Sequence, residues 1–85
     1  MCNNDLPGHS LVTPEGYYSD KMSSTFHANI DDCVAACLNT DCWGIVDFDT
    51  ECYLYEESVD GGLWEELPNT NTYEKCCNPT TSTYF

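Results

Sequence analysis

The chain has 85 residues with fifteen Asp and Glu, two Lys and no Arg, which gives a formal net charge of -13. Lys21 and Lys75 alone cannot form a basic patch, so nucleic acid and anionic membranes are excluded as expected partners. No stretch is long and apolar enough for a membrane-spanning helix, and we expect no membrane insertion. So short a chain buries only a modest core, and we expect its seven cysteines to stabilise one domain as disulfides in an oxidising compartment.

The segment before the first long element has a mixed pattern. Turn residues predict a loop over residues 1–16, and Gly16-Tyr17-Tyr18 indicates the start of a short strand. Residues 19–25 are polar, and Phe26 is expected to pack inward. Residues 1–20 do not have the pattern of a signal peptide, so we expect a mature secreted domain or an excised module.

One helix is predicted, over residues 30–39. Asn29 is a favourable N-cap, and Asp32 complements the positive end of the helix dipole. Cys33 and Cys37 are four residues apart, so they lie on the same face of this helix. Both can then be tied to the strands that follow, which predicts a helix fastened by disulfides to a small sheet.

The remainder of the domain is predicted to be strands and loops. Aromatic and β-branched residues indicate strands over residues 43–48 and 52–56, joined by a turn at 49–51. Residues 57–70 are interpreted as an acidic loop, and residues 71–76 as a last strand that returns to the sheet. The predicted fold class is therefore α+β, with one helix packed on a small, twisted, largely antiparallel sheet. The domain is expected to cover residues 1–77, and residues 78–85 are expected to be a flexible tail.

The cysteine pattern resembles that of the PAN/apple domain. The hallmark of that family is a helix with C-x3-C, a third cysteine just after the helix, and a fourth before an apolar strand. The matching residues are Cys33, Cys37, Cys42 and Cys52. Gly16-Tyr17-Tyr18 ahead of the helix and Thr72-Tyr73-Glu74-Lys75-Cys76 at the end also match, so the resemblance covers roughly residues 2–77. In size and acidity the chain is similar to the small leech anti-platelet proteins of the saratin type.

The resemblance implies three disulfides. They are Cys33–Cys52, Cys37–Cys42 and, as in apple-type members, Cys2–Cys76. Seven is an odd number, so one thiol is left over, which we expect to be Cys77. It is either free, blocked or linked to another chain, and the last case gives a disulfide-linked homodimer.

The orientation of the strand at residues 43–48 stays open at this point. The family pattern puts Ile45 inward, which places Asp47 on the same face because side chains alternate along a strand. The opposite orientation buries Val46 and Phe48.

A catalytic site is not indicated, and we expect neither enzyme activity nor a cofactor or metal. His9 and His27 lie in polar stretches without a motif around them, and we expect them to be exposed or to cap. Paired carboxylates are common, but a domain with one helix has little room for the cleft of a glycosidase. The acidic residues at 47, 49 and 51 resemble a calcium loop only faintly, and a solvated turn is the simpler interpretation. The C-x3-C-x4-C spacing favours disulfides over zinc in a secreted context.

Aromatic residues among carboxylates indicate a recognition surface instead. We place this surface on the exposed sheet face and the loop at 57–70. The predicted contacts are Trp64, Tyr55, Glu56 and Glu57. Trp43, Tyr53 and Tyr55 are expected to divide between the two faces of the hairpin. The alternative for Trp64 is that, with Leu63 and Leu67, it only pins the loop to the domain.

The expected function is non-catalytic recognition outside the cell. Members of the family that the chain resembles bind carbohydrate or protein, so an extracellular glycan or protein is the expected partner. The alternative is a stand-alone secreted effector that inhibits a matrix protein such as collagen, which the acidity and the single-domain length favour. Salt dependence separates these cases, because binding through an acidic face weakens with salt whereas sugar binding hardly responds.

Overall fold

The computed structural model describes residues 3–49 and 51–76, and within them the protein is an α+β domain of seven strands and one helix. The elements are β1 (His9–Thr13), β2 (Gly16–Tyr18), β3 (Met22–His27), α1 (Ile30–Leu38), β4 (Gly44–Phe48), β5 (Glu51–Tyr55), β6 (Trp64–Glu66) and β7 (Thr70–Lys75). Five strands form the main sheet in the order β1-β7-β4-β5-β3, and β2 pairs with β6 in a small second sheet. All of these pairings are antiparallel, so the predicted α+β class is confirmed, but the strands form two sheets instead of the one expected.

The helix begins where its capping residues predict. The Asp32 backbone N–H donates to the Asn29 side-chain oxygen at 2.9 Å, and the Asn29 amide donates to the Asp32 carboxylate at 3.1 Å. These bonds satisfy an N–H that has no partner within the first turn. At the other end, the Asn39 backbone N–H donates to the Ala35 and Ala36 carbonyl oxygens, at 3.1 and 3.2 Å.

Two of the predicted disulfides are confirmed. Cys33–Cys52 joins α1 to β5, and Cys37–Cys42 closes the turn after the helix. Cys76 is disulfide-bonded as well. Its expected partner, Cys2, lies outside the described residues, as do Cys77 and the predicted tail at 78–85.

The main sheet carries a core cluster on each of its faces. On one face, Ile45 and Leu54 pack with the helix and its cysteines. On the other face, Val46 and Tyr55 pack with Val59 beneath the small sheet. Ile45 and Val46 are therefore both fully buried, although they lie on opposite faces of the strand. Each of the two orientations considered for this strand is thus correct about the apolar residue it places inside. A strand covered on both faces has no solvent side, which is why alternation alone could not orient it.

Three segments predicted as loop or left without structure are strands. Residues 9–13 form β1, residues 22–27 form β3, and residues 64–66 within the predicted acidic loop form β6. Each is an edge strand that pairs on one side only among the described strands. Edge strands bury little, so their sequences lack the apolar alternation that makes a strand recognisable.

Two side chains in these edge strands differ in burial from what the sequence predicted. Phe26 was expected to pack inward but is 52% exposed, because it lies on edge strand β3 against the ring of Tyr53, with the ring centres 5.6 Å apart. His9 was expected to be exposed or to cap but is fully buried in β1. Its Nδ1 donates to the Pro7 carbonyl oxygen at 2.9 Å, and burial lowers the pKa of its imidazole.

Candidate binding site

Three exposed apolar side chains lie close together in the chain on and beside β6. Leu63, Trp64 and Leu67 are 65, 45 and 39% exposed, and we call the segment that carries them the 63–67 strip. They are three of the six large hydrophobic side chains that are exposed in the described part of the chain. An apolar cluster on the surface of a small soluble domain is a typical mark of an interaction site.

Backbone hydrogen bonds hold the 63–67 strip at both of its ends. β6 pairs with β2, with Trp64 opposite Tyr18. The Ser19 N–H donates to the Leu63 carbonyl oxygen at 3.1 Å, and the Leu67 N–H donates to the Glu15 carbonyl oxygen at 3.0 Å. The strip is thus a fixed surface and not a loop that must be ordered when a partner binds.

Trp64 is both an anchor and an exposed contact. Its indole ring lies across Gly16 of the paired strand, so closely that a Cβ at Gly16 would overlap the ring. The other part of the side chain is open to solvent. Packing of the loop against the domain therefore explains why one side of Trp64 is covered. It does not explain Leu63 and Leu67, which stay exposed.

Carboxylates surround the 63–67 strip. Glu65 and Glu66 lie within it and are exposed, and the Asp20 carboxylate accepts the Leu63 N–H at 2.8 Å. Lys21 packs beside Gly62 and donates to Glu57 at 3.2 Å, which brings the predicted contact Glu57 to the edge of this surface. The 63–67 strip therefore carries both apolar and acidic side chains that are exposed to solvent.

Tyr55 is not exposed, so the prediction that it lies on an exposed surface as a ligand contact is wrong. It is fully buried, because the small sheet covers the face of β5 that was expected to be exposed. Its hydroxyl accepts the Tyr18 N–H at 3.0 Å and donates to Thr72 Oγ1 at 3.2 Å, and Thr72 Oγ1 in turn donates to the Gly16 carbonyl oxygen at 3.0 Å. Burial raises the pKa of Tyr55.

Glu56 is exposed but lies on the opposite side of the main sheet from Glu57. It follows Leu54 by two residues, so it lies on the helix face, where it lines a groove of about 530 Å³ beside α1. The structure therefore separates the four predicted contacts. Trp64 lies on the 63–67 strip, Glu57 is bonded to Lys21 beside Gly62, Glu56 lines the groove, and Tyr55 is internal.

A row of aromatic rings crosses the sheet face opposite the helix. Tyr17 contacts Phe48, Phe48 contacts Tyr53, and Tyr53 contacts Phe26, with ring centres 5.1, 5.5 and 5.6 Å apart. Trp43 joins the same face through Tyr55, at 6.0 Å. The expected division of Trp43, Tyr53 and Tyr55 between two faces is wrong, because all three pack into one cluster.

The acidic turn after β4 does not assemble a metal site. Among residues 3–49 and 51–76, no group of three or more His, Cys, Asp or Glu side chains is arranged to hold a metal ion. Asp47 is half-buried, and burial together with the nearby Asp49 raises its pKa. In the same part of the chain, no helix is long and apolar enough to cross a bilayer.

Comparison with known proteins does not assign a family to this chain. No family model, no curated protein and no solved structure matches it significantly. Kinship with the PAN/apple domain therefore stays a prediction that rests on the cysteine pattern and its flanking residues.

Proposed function

We propose that this protein is a secreted, non-catalytic recognition domain of the PAN/apple type and that the 63–67 strip is its binding surface. The observation that carries the proposal is the strip itself, with three exposed apolar side chains on a hydrogen-bonded backbone among carboxylates. Hot spots of protein interfaces are commonly aromatic anchors surrounded by polar groups, and Trp64 occupies that position here.

The chemistry of the strip favours a protein partner with a basic surface over a glycan. Leu63 and Leu67 are aliphatic and offer a sugar no hydrogen bond, whereas they suit an apolar protein patch. The carboxylates of Glu65, Glu66 and Asp20 complement cationic side chains and raise the association rate by electrostatic attraction.

The disulfides support the extracellular assignment. Cys33–Cys52 and Cys37–Cys42 are both intramolecular and connect the only described helix to the sheet and to the turn that follows it. Disulfides of this structural kind persist in oxidising compartments and are rare in the cytosol.

A stand-alone effector that blocks a matrix protein such as collagen is the second candidate. The observation that favours this candidate is that both lysine ammonium groups are bonded to other groups of the same domain. Lys21 pairs with Glu57, and the Lys75 ammonium group donates to the Cys37 and Thr40 carbonyl oxygens at 3.1 and 2.7 Å. With its two cationic side chains engaged in this way, the chain presents an almost wholly acidic exterior to a basic matrix protein.

A glycan array run beside a panel of matrix and other extracellular proteins tests the proposal. The wild-type chain is expected to bind a basic protein, and Trp64→Ala is expected to weaken that binding by about tenfold or more, as loss of an interface anchor does. Phe26→Ala is the matched control, because Phe26 is an aromatic residue of similar exposure on a different strand.

The same panel, repeated at low and physiological salt, separates the partner classes. Binding to a basic protein should weaken as salt rises, because the carboxylates around the strip are exposed and are screened. The proposal would be refuted by binding to glycans alone, or by a protein ligand whose affinity Trp64→Ala leaves unchanged.

A further inference from the structure

The groove beside α1 lies on the face of the main sheet opposite the small sheet. Its volume of about 530 Å³ lies within the roughly 300–1,000 Å³ of typical ligand sites. Ala36, Leu54 and Cys42 form its apolar part, and Thr25, Asp41 and Glu56 line it with exposed side chains. The half-buried His27 lines it as well, and its Nε2 is buried without a hydrogen-bond partner.

Local features of the chain explain why the groove is open and why its walls are fixed. The register of β3 against β5 shifts between Met22 and Phe26, so this edge of the sheet bulges beside the helix. Ala36 is small and leaves space on the helix side. The turn that carries Asp41 is held by the Cys37–Cys42 disulfide and by the bond from Lys75 to the Thr40 carbonyl oxygen.

The charges of the groove define what would complement it. Asp41 and Glu56 each carry a carboxylate, and the one ion pair found among the described residues, Lys21–Glu57, involves neither. Lys75 is engaged with the backbone at the end of the helix. An anion would be repelled here, whereas a cation on an apolar stem would place its charge at the carboxylates and its stem on Ala36 and Leu54.

We propose that this groove binds a guanidinium or ammonium group carried on an aliphatic chain. An arginine or lysine side chain of a protein supplies this chemistry, and so does a free alkylguanidine. The site is separate from the 63–67 strip, because the helix lies on one face of the main sheet and the small sheet lies on the other. Its test therefore succeeds or fails independently of the proposed function.

Amide-resolved NMR titration of the intact, disulfide-bonded chain tests the site with three probes. These are n-butylguanidine, a blocked Ala-Arg-Ala tripeptide, and the same tripeptide with neutral citrulline in place of arginine. We expect the two guanidinium probes to shift amides of residues 25, 36, 41, 54 and 56, and the citrulline peptide to shift none of them. If only the arginine peptide binds, the ligand of the groove is an arginine side chain of a protein. If butylguanidine binds as well, a guanidinium group on an alkyl chain is sufficient for binding.

Charge-neutralising variants show whether the groove or the overall acidity attracts the probes. Asp41→Asn and Glu56→Gln should each weaken binding about two- to fivefold, the range of an exposed ion pair. Asp31→Asn and Glu74→Gln remove the same charge at exposed positions outside the groove and outside the 63–67 strip, and they should leave binding unchanged. Ala36→Met, which fills the groove, should abolish binding in a chain whose thermal unfolding confirms that it is folded. Equal weakening by the control variants, or the absence of shifts at the groove residues, would overturn the proposal.

Discussion

The Tyr55 hydroxyl connects the two sheets through a chain of hydrogen bonds. It accepts from Tyr18 of β2 and donates to Thr72 of β7, and Thr72 donates back to Gly16 of β2. Every donor in this chain has an acceptor, which buried polar groups require. The small sheet is thus fixed to the main sheet by polar bonds as well as by apolar packing.

Tyr55→Phe should destabilise the domain by about 1–3 kcal/mol, because the substitution leaves the Tyr18 N–H without its acceptor in a partly buried position. Equilibrium denaturation in urea, with the disulfides intact, measures the change. Tyr53→Phe is the control, since Tyr53 lies on the same face and is only half-buried. Equal losses for the two variants would show that the Tyr55 hydroxyl has no special role.

The buried His9 makes stability depend on pH in a predictable direction. Burial, together with the charge of Lys75, lowers the pKa of its imidazole below the ordinary value of 6.5, against the opposing effect of the bond to Pro7. Below pH 6.5, His9 therefore binds a proton more readily in the unfolded chain than in the folded chain. As a result, the free energy of unfolding falls as pH decreases. This contribution is fully present above the unfolded pKa.

Thermal unfolding between pH 7.5 and 5.5 measures that effect. The melting temperature of the wild-type chain should fall across this window, and His9→Gln, which keeps a donor for the Pro7 carbonyl, should show a shallower fall. An identical slope in both chains would contradict the role given to His9. The raised pKa of Tyr55 predicts a separate loss of stability above pH 10, where the unfolded chain ionises first.

Single elements were predictable where their signal is local. The N-cap at Asn29, the position of Cys33 and Cys37 on one helix face, and the apolar run of β4 each follow from neighbouring residues. The structure has a helix and a strand at these positions. β1, β3 and β6 have no such signal, because they are edge strands with few buried residues and their sequences lack apolar alternation. The 63–67 strip was missed as a strand for that reason, although Trp64 itself was identified as a candidate contact.

The C-terminal end of α1 shows a long-range partner that no local pattern indicates. The last turn of the helix contains no basic residue, and Lys75 of β7 supplies the cation from the sheet by binding two carbonyl oxygens there. A cation at this end complements the negative pole of the helix dipole and satisfies carbonyls that have no partner within the helix.

Lys75→Met should lower the free energy of unfolding by about 1–2 kcal/mol, since it removes two charge-assisted hydrogen bonds from the helix end. Lys21→Met is a matched control, because it changes the net charge equally but removes only one exposed ion pair, worth about 0–1 kcal/mol. Denaturation in urea compares the two variants. A larger loss for Lys21→Met would refute the capping role of Lys75.

At the scale of the whole molecule, the two-sided covering of the main sheet decides which residues meet. The sequence placed Tyr55 and Glu56 on one strand and Glu57 at the start of the loop that follows, but it does not show that the small sheet covers one face. The structure consequently buries Tyr55, places Glu56 in the groove and leaves Glu57 near the 63–67 strip. The fold class follows from local patterns along the chain, and the disulfide pairing follows from the resemblance to the PAN/apple cysteine pattern. The site, in contrast, depends on how β2 and β6 fold back over the sheet.

The central claim is that the 63–67 strip contacts the partner, and amide hydrogen exchange of the complex tests it most directly. The measurement uses the basic protein that binds tightest in the panel, with the Phe26→Ala chain as a reference. We predict protection of residues 15–20 and 63–67 on binding, with little change at residues 40–42 beside the groove. Protection confined to the groove, or the same protection pattern in a Trp64→Ala chain of unchanged affinity, would contradict the account.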